Sequence, residues 1–253
     1  MTATAVPTTQ DRARFRDGVH IEMSPRRVRT YFAGELIADS ERVLLVYESR
    51  RPPAYWFPEA DVRMANLQPR EPVDGSDVMR WTLSVNDRVA ENAARAYIGP
   101  AGEREALAAH LTFAWDAMDS WFEEDEEVFV HPRDPYVRVD TVHSSRHVRV
   151  EVGGQVVAES FRPVLLYETG LRTRYYVPKQ DVRMDLLEPT STHTRCPYKG
   201  VASYWSLNLG GRVEKDIVWS YPNPIAECTR IENLMSFYNE RVDIYLDGVL
   251  QPK

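Results

Sequence analysis

The chain repeats itself, and nothing else in it constrains the fold as strongly. Displaced by 120 residues, Val28-Arg29 falls on Val148-Arg149, Tyr47-Glu48 on Tyr167-Glu168, and Asp61-Val62-Arg63-Met64 on Asp181-Val182-Arg183-Met184. Over residues 27–69 there are 17 identities in 43 ungapped positions. One folding unit has therefore been duplicated. After Pro69 the displacement becomes 124, so that Trp81 matches Trp205, Tyr97 matches Tyr221 and Phe113 matches Phe237. The second copy thus carries four extra residues between Pro189 and Trp205.

Each copy opens with period-two alternation, as in Val148-Arg149-Val150-Glu151-Val152, and a Gly-rich turn follows. That pattern predicts a β-hairpin. Buried strands are expected at Val43–Tyr47 and Val164–Tyr167, and later ones at Met79–Val85 and Tyr204–Leu209. Near the end of each copy the period lengthens. Ile225, Cys228, Ile231, Leu234, Met235, Tyr238 and Val242 recur at three- and four-residue steps behind Asn223 and Pro224, which predicts a closing helix. The expected fold class is mainly β, with a C-terminal helix per copy. Two tandem antiparallel sheet or open-barrel, tent-like domains would pack as a pseudo-dimer. The expected division is a flexible N-terminal arm (1–23), a first repeat (24–122), an acidic linker (123–143) around Glu123-Glu124-Asp125-Glu126-Glu127, and a second repeat (144–253). Val128-Phe129-Val130 is expected to pair with a sheet edge.

A net charge of −7 disfavours nucleic acid as a partner, because phosphate-backbone binding needs a basic surface. The absence of a long apolar run disfavours a membrane span. Only two cysteines occur, Cys196 and Cys228, which suits a reducing, cytoplasmic setting better than a disulfide framework. There is no Cys-x-x-Cys pair, so no metal site is expected.

Several motifs stand clearly in the second copy: Tyr167-Glu168-Thr169-Gly170, Tyr175-Tyr176-Val177-Pro178, Asp181-Val182-Arg183-Met184, Cys196-Pro197-Tyr198-Lys199-Gly200, Ala202-Ser203-Tyr204-Trp205 and Trp219-Ser220-Tyr221-Pro222. Together they resemble a bacterial family catalogued as domain of unknown function 427, sometimes labelled nucleotidyltransferase-like, here as two tandem copies. The resemblance implies a small β-rich domain of barrel or tent shape and assigns no activity. The first copy departs from the pattern: Pro72-Val73-Asp74-Gly75-Ser76 stands where the Cys-Pro-Tyr-Lys-Gly segment would be, so that copy is expected to serve as scaffold.

Reactive side chains concentrate in His193-Thr194-Arg195-Cys196-Pro197-Tyr198-Lys199-Gly200. Cys196 is a candidate thiolate nucleophile if cations surround it. Lys199 is a candidate anion contact, or an amine nucleophile if desolvated. The competing reading is structural: Pro197 and Gly200 shape a turn, Cys196 is a small buried hydrophobe, and Lys199 makes an ion pair. Glu168, Tyr175, Arg183, His193, Tyr204 and Trp205 are the candidate ligand-binding residues, with the aromatic rings suited to a planar ligand such as a nucleobase or flavin-like ring. Glu168 and the Asp-Val-Arg motif also occur in the first copy, which favours a folding role for them, including an Asp181–Arg183 ion pair. Nucleotidyl transfer lacks its sequence support, since Asp181 and Asp185 are four apart and no phosphate-cradling Gly-rich loop occurs. The sequence therefore predicts a small-molecule binding module, with an enzyme using Cys196 or Lys199, or an interaction protein, as alternatives. It names no cofactor. The expected state is a monomer with an internal pseudo-two-fold, or a weak homodimer.

Overall fold

A computed structural model describes residues 18–48, 52–70, 72 and 75–253. The expected arm falls outside these residues up to position 17. So do positions 73 and 74 of the first copy's substituted loop. The chain forms two units, Met1–Tyr136 and Val137–Lys253.

The first unit runs β1 (Val19–Met23), β2 (Val28–Phe32), β3 (Glu35–Ser40), β4 (Leu44–Glu48), β5 (Ala54–Pro58), β6 (Leu67–Arg70), β7 (Val78–Val85), β8 (Arg88–Tyr97), β9 (His110–Phe113), β10 (Ser120–Glu123) and β11 (Glu126–Val128). The second runs β12 (Val139–His143), β13 (Val148–Val152), β14 (Gln155–Ser160), β15 (Val164–Glu168), β16 (Arg174–Val177), β17 (Leu187–Cys196), β18 (Gly200–Leu209), β19 (Arg212–Pro224), β20 (Met235–Phe237), β21 (Asp243–Leu246) and β22 (Val249–Leu250). The first unit holds a seven-stranded sheet, β1-β4-β5-β9-β8-β7-β6, and a four-stranded sheet, β11-β10-β2-β3. The second holds β12-β15-β16-β20-β19-β18-β17 and β14-β13-β21-β22, which is the same topology strand for strand. Among the described residues both large sheets end on edge strands with one neighbour each, so neither closes into a barrel.

Alternation on the strands explains this layering, because successive side chains point to opposite faces. In β13 Val148, Val150 and Val152 are buried while Arg149 and Glu151 are not. They meet Leu165, Tyr175, Val177, Leu207, Val218 and Phe237 of the large sheet in one core. The turns behave as expected from composition. Gly153 and Gly154 both take positive φ, as do Ala33 and Gly34 at the matching place. One irregularity is shared in kind. Asn92 and Asp216, at equivalent positions, both have positive φ where β8 and β19 bulge against their partners. In the second unit the Asp216 carboxylate also accepts from Thr190 Oγ1 at 2.7 Å and Thr192 Oγ1 at 2.8 Å. It thereby pins the extra residues of β17 at the bulge between Pro189 and His193.

Three expectations are corrected. No closing helix forms. Ala226–Ile231 is a 3-10 segment that buries Cys228 and Ile231 at three-residue spacing, after which Asn233 turns left-handed. Met235–Phe237 then becomes β20, inserted between β16 and β19, where it pairs with both. The backbone groups of two central strands need that ladder, and this requirement outweighs the helical spacing of the side chains. The first unit breaks identically, with Ala109 left-handed before β9. The acidic run is not a connector but the β10–β11 hairpin. Its charges are met by arginines: Glu123 by Arg26, Asp125 by Arg29, and Glu126 by Arg133. The sheet-edge pairing expected of Val128-Phe129-Val130 falls to Val128, opposite Trp121. At the N-terminus, residues 19–23 form β1 against β4.

The Asp-Val-Arg motif does not make an internal ion pair. Asp181 accepts from Ser160 Oγ at 2.7 Å and from Arg162, and Asp61 does the same with Ser40 at 2.6 Å and Arg42. Each carboxylate thus ties a 3-10 turn to the β14–β15 or β3–β4 corner. At Asp181 the bond from Arg162 is the largest influence, opposed by burial and aided by Ser160, and the carboxyl lies below its ordinary value. A depressed carboxylate stabilises the fold above its unfolded pKa, about 4, and that contribution disappears as pH falls through the lower folded value. Asp181→Asn is therefore expected to be less stable than the wild type at neutral pH. The gap should narrow in denaturant titrations below about pH 4. A gap independent of pH would mean that the carboxylate is not coupled to folding.

Candidate functional site

The seven-stranded sheet of the second unit has a second buried face. Val164 and Leu166 of β15, Tyr176 of β16, Ala202 and Tyr204 of β18, and Trp219 and Tyr221 of β19 form it, covered by Cys228 and Ile231 from the 3-10 segment. Period-two alternation carries Glu168 to the same face, two residues beyond Leu166. There it meets Lys199. The Lys199 Nζ stands 2.5 Å from Glu168 Oε2, with side chains 13% and 9% exposed.

Lys199 is delivered by the turn between β17 and β18, where Lys199 N–H donates to the Cys196 carbonyl at 3.4 Å. Gly200 closes this turn at φ +101, and a Cβ on it would meet the Asn223 carbonyl at 3.1 Å. Gly200→Ala is expected to cost about 2 kcal/mol from backbone strain and crowding together. Chemical denaturation measures it, and a neutral result would mean that the turn relaxes freely. The 3-10 segment clamps the same turn from outside, since the Cys228 thiol donates to the Tyr198 carbonyl at 3.2 Å.

A network of phenols runs across the same buried face. Trp219 Nε1 donates to the Tyr176 hydroxyl at 3.0 Å. The Tyr204 hydroxyl lies 2.9 Å from Thr194 Oγ1 and 3.3 Å from the Tyr238 hydroxyl, and the Tyr238 ring packs on Trp219 with centroids 4.6 Å apart. Burial raises the Tyr221 phenol well above its ordinary value, and neighbouring Tyr176, Cys196, Tyr204 and Glu168 add to the shift. Its hydroxyl makes no hydrogen bond among the described residues. Burial likewise pushes the Cys228 thiol up to about 11, against a smaller opposing pull from Lys199. Cys196 is half-buried and Cys228 buried, and both are free thiols. Iodoacetamide at about pH 8 is accordingly expected to label one thiol in the native chain, Cys196, and both after denaturation. Labelling of Cys228 at the same rate would contradict its burial.

Of the residues singled out from the sequence, Glu168 and Lys199 are in contact, Cys196 shares the turn that carries Lys199, and Tyr204 lies on the buried aromatic face. Tyr175 and Trp205 do not join them. Each follows or precedes a site residue by one position, so it faces the opposite side. Tyr175 lies in the core between the sheets with its hydroxyl on Gln251 at 3.3 Å, and Trp205 packs on that core beneath the Lys179 ammonium. Arg183 is exposed and bonded to Asp185 at 2.6 Å and 2.8 Å. His193 is exposed, its Nδ1 on the Ser191 carbonyl. Tyr176, Trp219, Tyr221 and Tyr238 complete the group and were not among the candidates. Reading Trp219 and Tyr221 as one face of a strand would have found two of them. Among the described residues no three His, Cys, Asp or Glu side chains assemble as metal ligands would. Nor is any helix there long and apolar enough to cross a membrane.

The first unit keeps the acid and changes the base. Glu48, equivalent to Glu168, accepts from Arg95 at 2.8 Å and from the Tyr97 hydroxyl. Burial pulls the Glu48 carboxyl up, but the bonds from Tyr97 and Arg95 outweigh it and leave the carboxyl below its usual value. Arg95 occupies the position of Trp219, so its cation arrives from a strand rather than from a turn.

Fold and site together define a duplicated two-sheet antiparallel domain with one elaborated copy. Residues 20–124 and 140–248 each match the family described as domain of unknown function DUF427, and the chain belongs to that family. No curated protein matches the chain.

Proposed function

We infer that the second unit binds a small planar polar molecule at the Glu168–Lys199 pair. The carrying observation is the pair itself: a carboxylate and an ammonium held in contact at the end of an aromatic face, each still partly open. Removing two opposite charges from water costs more than their attraction returns unless further hydrogen bonds complete them. A ligand edge carrying one donor and one acceptor supplies those bonds, the donor to Glu168 and the acceptor to Lys199. The Tyr221 hydroxyl, which feels the Glu168 charge and makes no hydrogen bond among the described residues, offers a third contact, and the buried aromatic face behind it gives the site an apolar floor. Because Glu168 neutralises Lys199, a neutral heterocycle or amide fits better than a simple anion. Crystals soaked with nicotinamide, adenine and salicylamide test this reading. Density for at least one probe against Glu168 and Lys199 supports it. Probes that bind elsewhere and leave the pair untouched overturn it.

A catalytic reading of the same unit centres on Lys199 rather than Cys196. Lys199 has a carboxylate in contact to take its proton, whereas the half-buried Cys196 thiol has no base in contact among the described residues.

A further inference from the structure

We propose that Lys199 is an amine nucleophile and that the ligand class of this site is an aldehyde, held as a protonated imine. This rests on the binding reading above and adds the reacting group to it.

The reasoning begins with how the chain uses its cations. Of 31 Lys and Arg residues only four are lysine: Lys179, Lys199, Lys215 and Lys253. Arginine serves nearly everywhere that a carboxylate needs a partner, including the well-shielded positions Arg29, Arg95 and Arg133, whose side chains are 17%, 28% and 15% exposed. Arginine is also the better residue for a shielded ion pair, since its planar fork meets a carboxylate with two parallel bonds and is less strongly hydrated. The first unit follows that rule at the equivalent acid, where Arg95 holds Glu48. The second unit breaks it. Lys199, at 13% exposure, is more shielded than any of these arginines, and it is a lysine. Lys215 and Lys253 are exposed, Lys253 at 53% on Asp243, and Lys179 lies over the Trp205 ring without a carboxylate in an ion pair. What lysine offers and arginine does not is a proton that can leave, and with it a nucleophilic lone pair.

Glu168 is in place to take that proton. As the reaction proceeds the proton crosses the contact to the carboxylate, which frees the nitrogen lone pair. The nitrogen lone pair attacks the aldehyde carbon, a C–N bond forms, and the carbonyl oxygen takes the proton from Glu168. Glu168 then removes a proton from nitrogen and returns it to the hydroxyl, which leaves as water. One aldehyde and the Lys199 ammonium become one protonated imine and one water, with Glu168 again a carboxylate paired to the new cation. No oxidant or reductant is consumed.

The test treats the full chain with salicylaldehyde and cyanoborohydride, which fixes an imine as a secondary amine, and maps the four lysines by peptide mass. Lys199 is expected to be modified at least about tenfold faster than Lys179, Lys215 or Lys253, although its side chain is only 13% exposed. Lys199→Arg should keep the partner of Glu168 and abolish the fast modification. The comparison among lysines within one wild-type sample stands even if that variant folds poorly. Salicylamide, which has the same shape and no aldehyde, is titrated in parallel by calorimetry. If salicylamide binds and Lys199 reacts no faster than the other lysines, the imine is wrong and the binding reading stands. If salicylamide does not bind and Lys199 is not preferred, both fall.

Discussion

Replacing Lys199 by methionine should lower unfolding stability by about 2–3 kcal/mol, because it strands the Glu168 carboxylate against an apolar face. The range lies below that for a fully buried pair because the two side chains retain 13% and 9% of their exposure. Glu168→Gln should cost a similar amount by stranding the ammonium. The informative variant is the double one. With Glu168→Gln and Lys199→Met together neither charge remains, and most of the loss should return, since a neutral pair of similar volume has no desolvation cost to recover. A double-mutant cycle from urea denaturation reads the coupling directly. If the two losses simply add, the contact is incidental and the chain gains nothing from holding these charges together. Lys199→Arg should be nearly silent in stability, within about 1 kcal/mol, because Arg95 already performs that duty for Glu48. A variant that is silent in stability but loses the amine chemistry separates the structural role of the cation from its reactive one.

The repeat made most of this architecture legible. Turn residues at Gly153-Gly154 and alternation in Val148–Val152 placed a hairpin where one stands, and the duplication required the second unit to copy the first. The helix failed for a reason that no window of local sequence contains. The spacing of Ile225, Cys228 and Ile231 satisfies a 3-10 turn as well as an α-helix, and the demand for β20 comes from β16 and β19, both distant in the chain. The site was half legible for a related reason. Cys196 and Lys199 were visible as a cluster of reactive residues, and Glu168 as a carboxylate kept in both copies. Their partners depend on which face each strand residue takes, and one position separates Tyr175 from Tyr176 and Tyr204 from Trp205. Retention of Glu168 in both copies favours a structural role. The arginine beneath Glu48 supports that reading for the first unit and marks the lysine beneath Glu168 as the departure.

Trp56→Ala should be the most damaging single change in the first unit, at about 3–5 kcal/mol. The indole is fully buried. It stacks on Tyr97 with ring centroids 5.4 Å apart and planes 9° apart, and the Arg95 guanidinium lies 5.1 Å from its centroid. Removing it leaves a cavity and also loosens Arg95 and Tyr97, the two groups that hold Glu48. Trp56→Phe should cost less than half as much, for a specific reason. The Trp56 Nε1 is buried without a hydrogen-bond partner among the described residues. A buried unpaired donor carries a penalty of about 1–3 kcal/mol, and phenylalanine removes it while keeping a ring to stack. The equivalent place in the second unit is Tyr176, whose hydroxyl accepts from the Trp219 indole. In the first unit position 95 is arginine, so that bond has no counterpart and the indole nitrogen is left over. Thermal and urea denaturation of the alanine and phenylalanine variants side by side measure the difference. Equal losses for the two would mean that the nitrogen carries no penalty and that the ring's size alone matters.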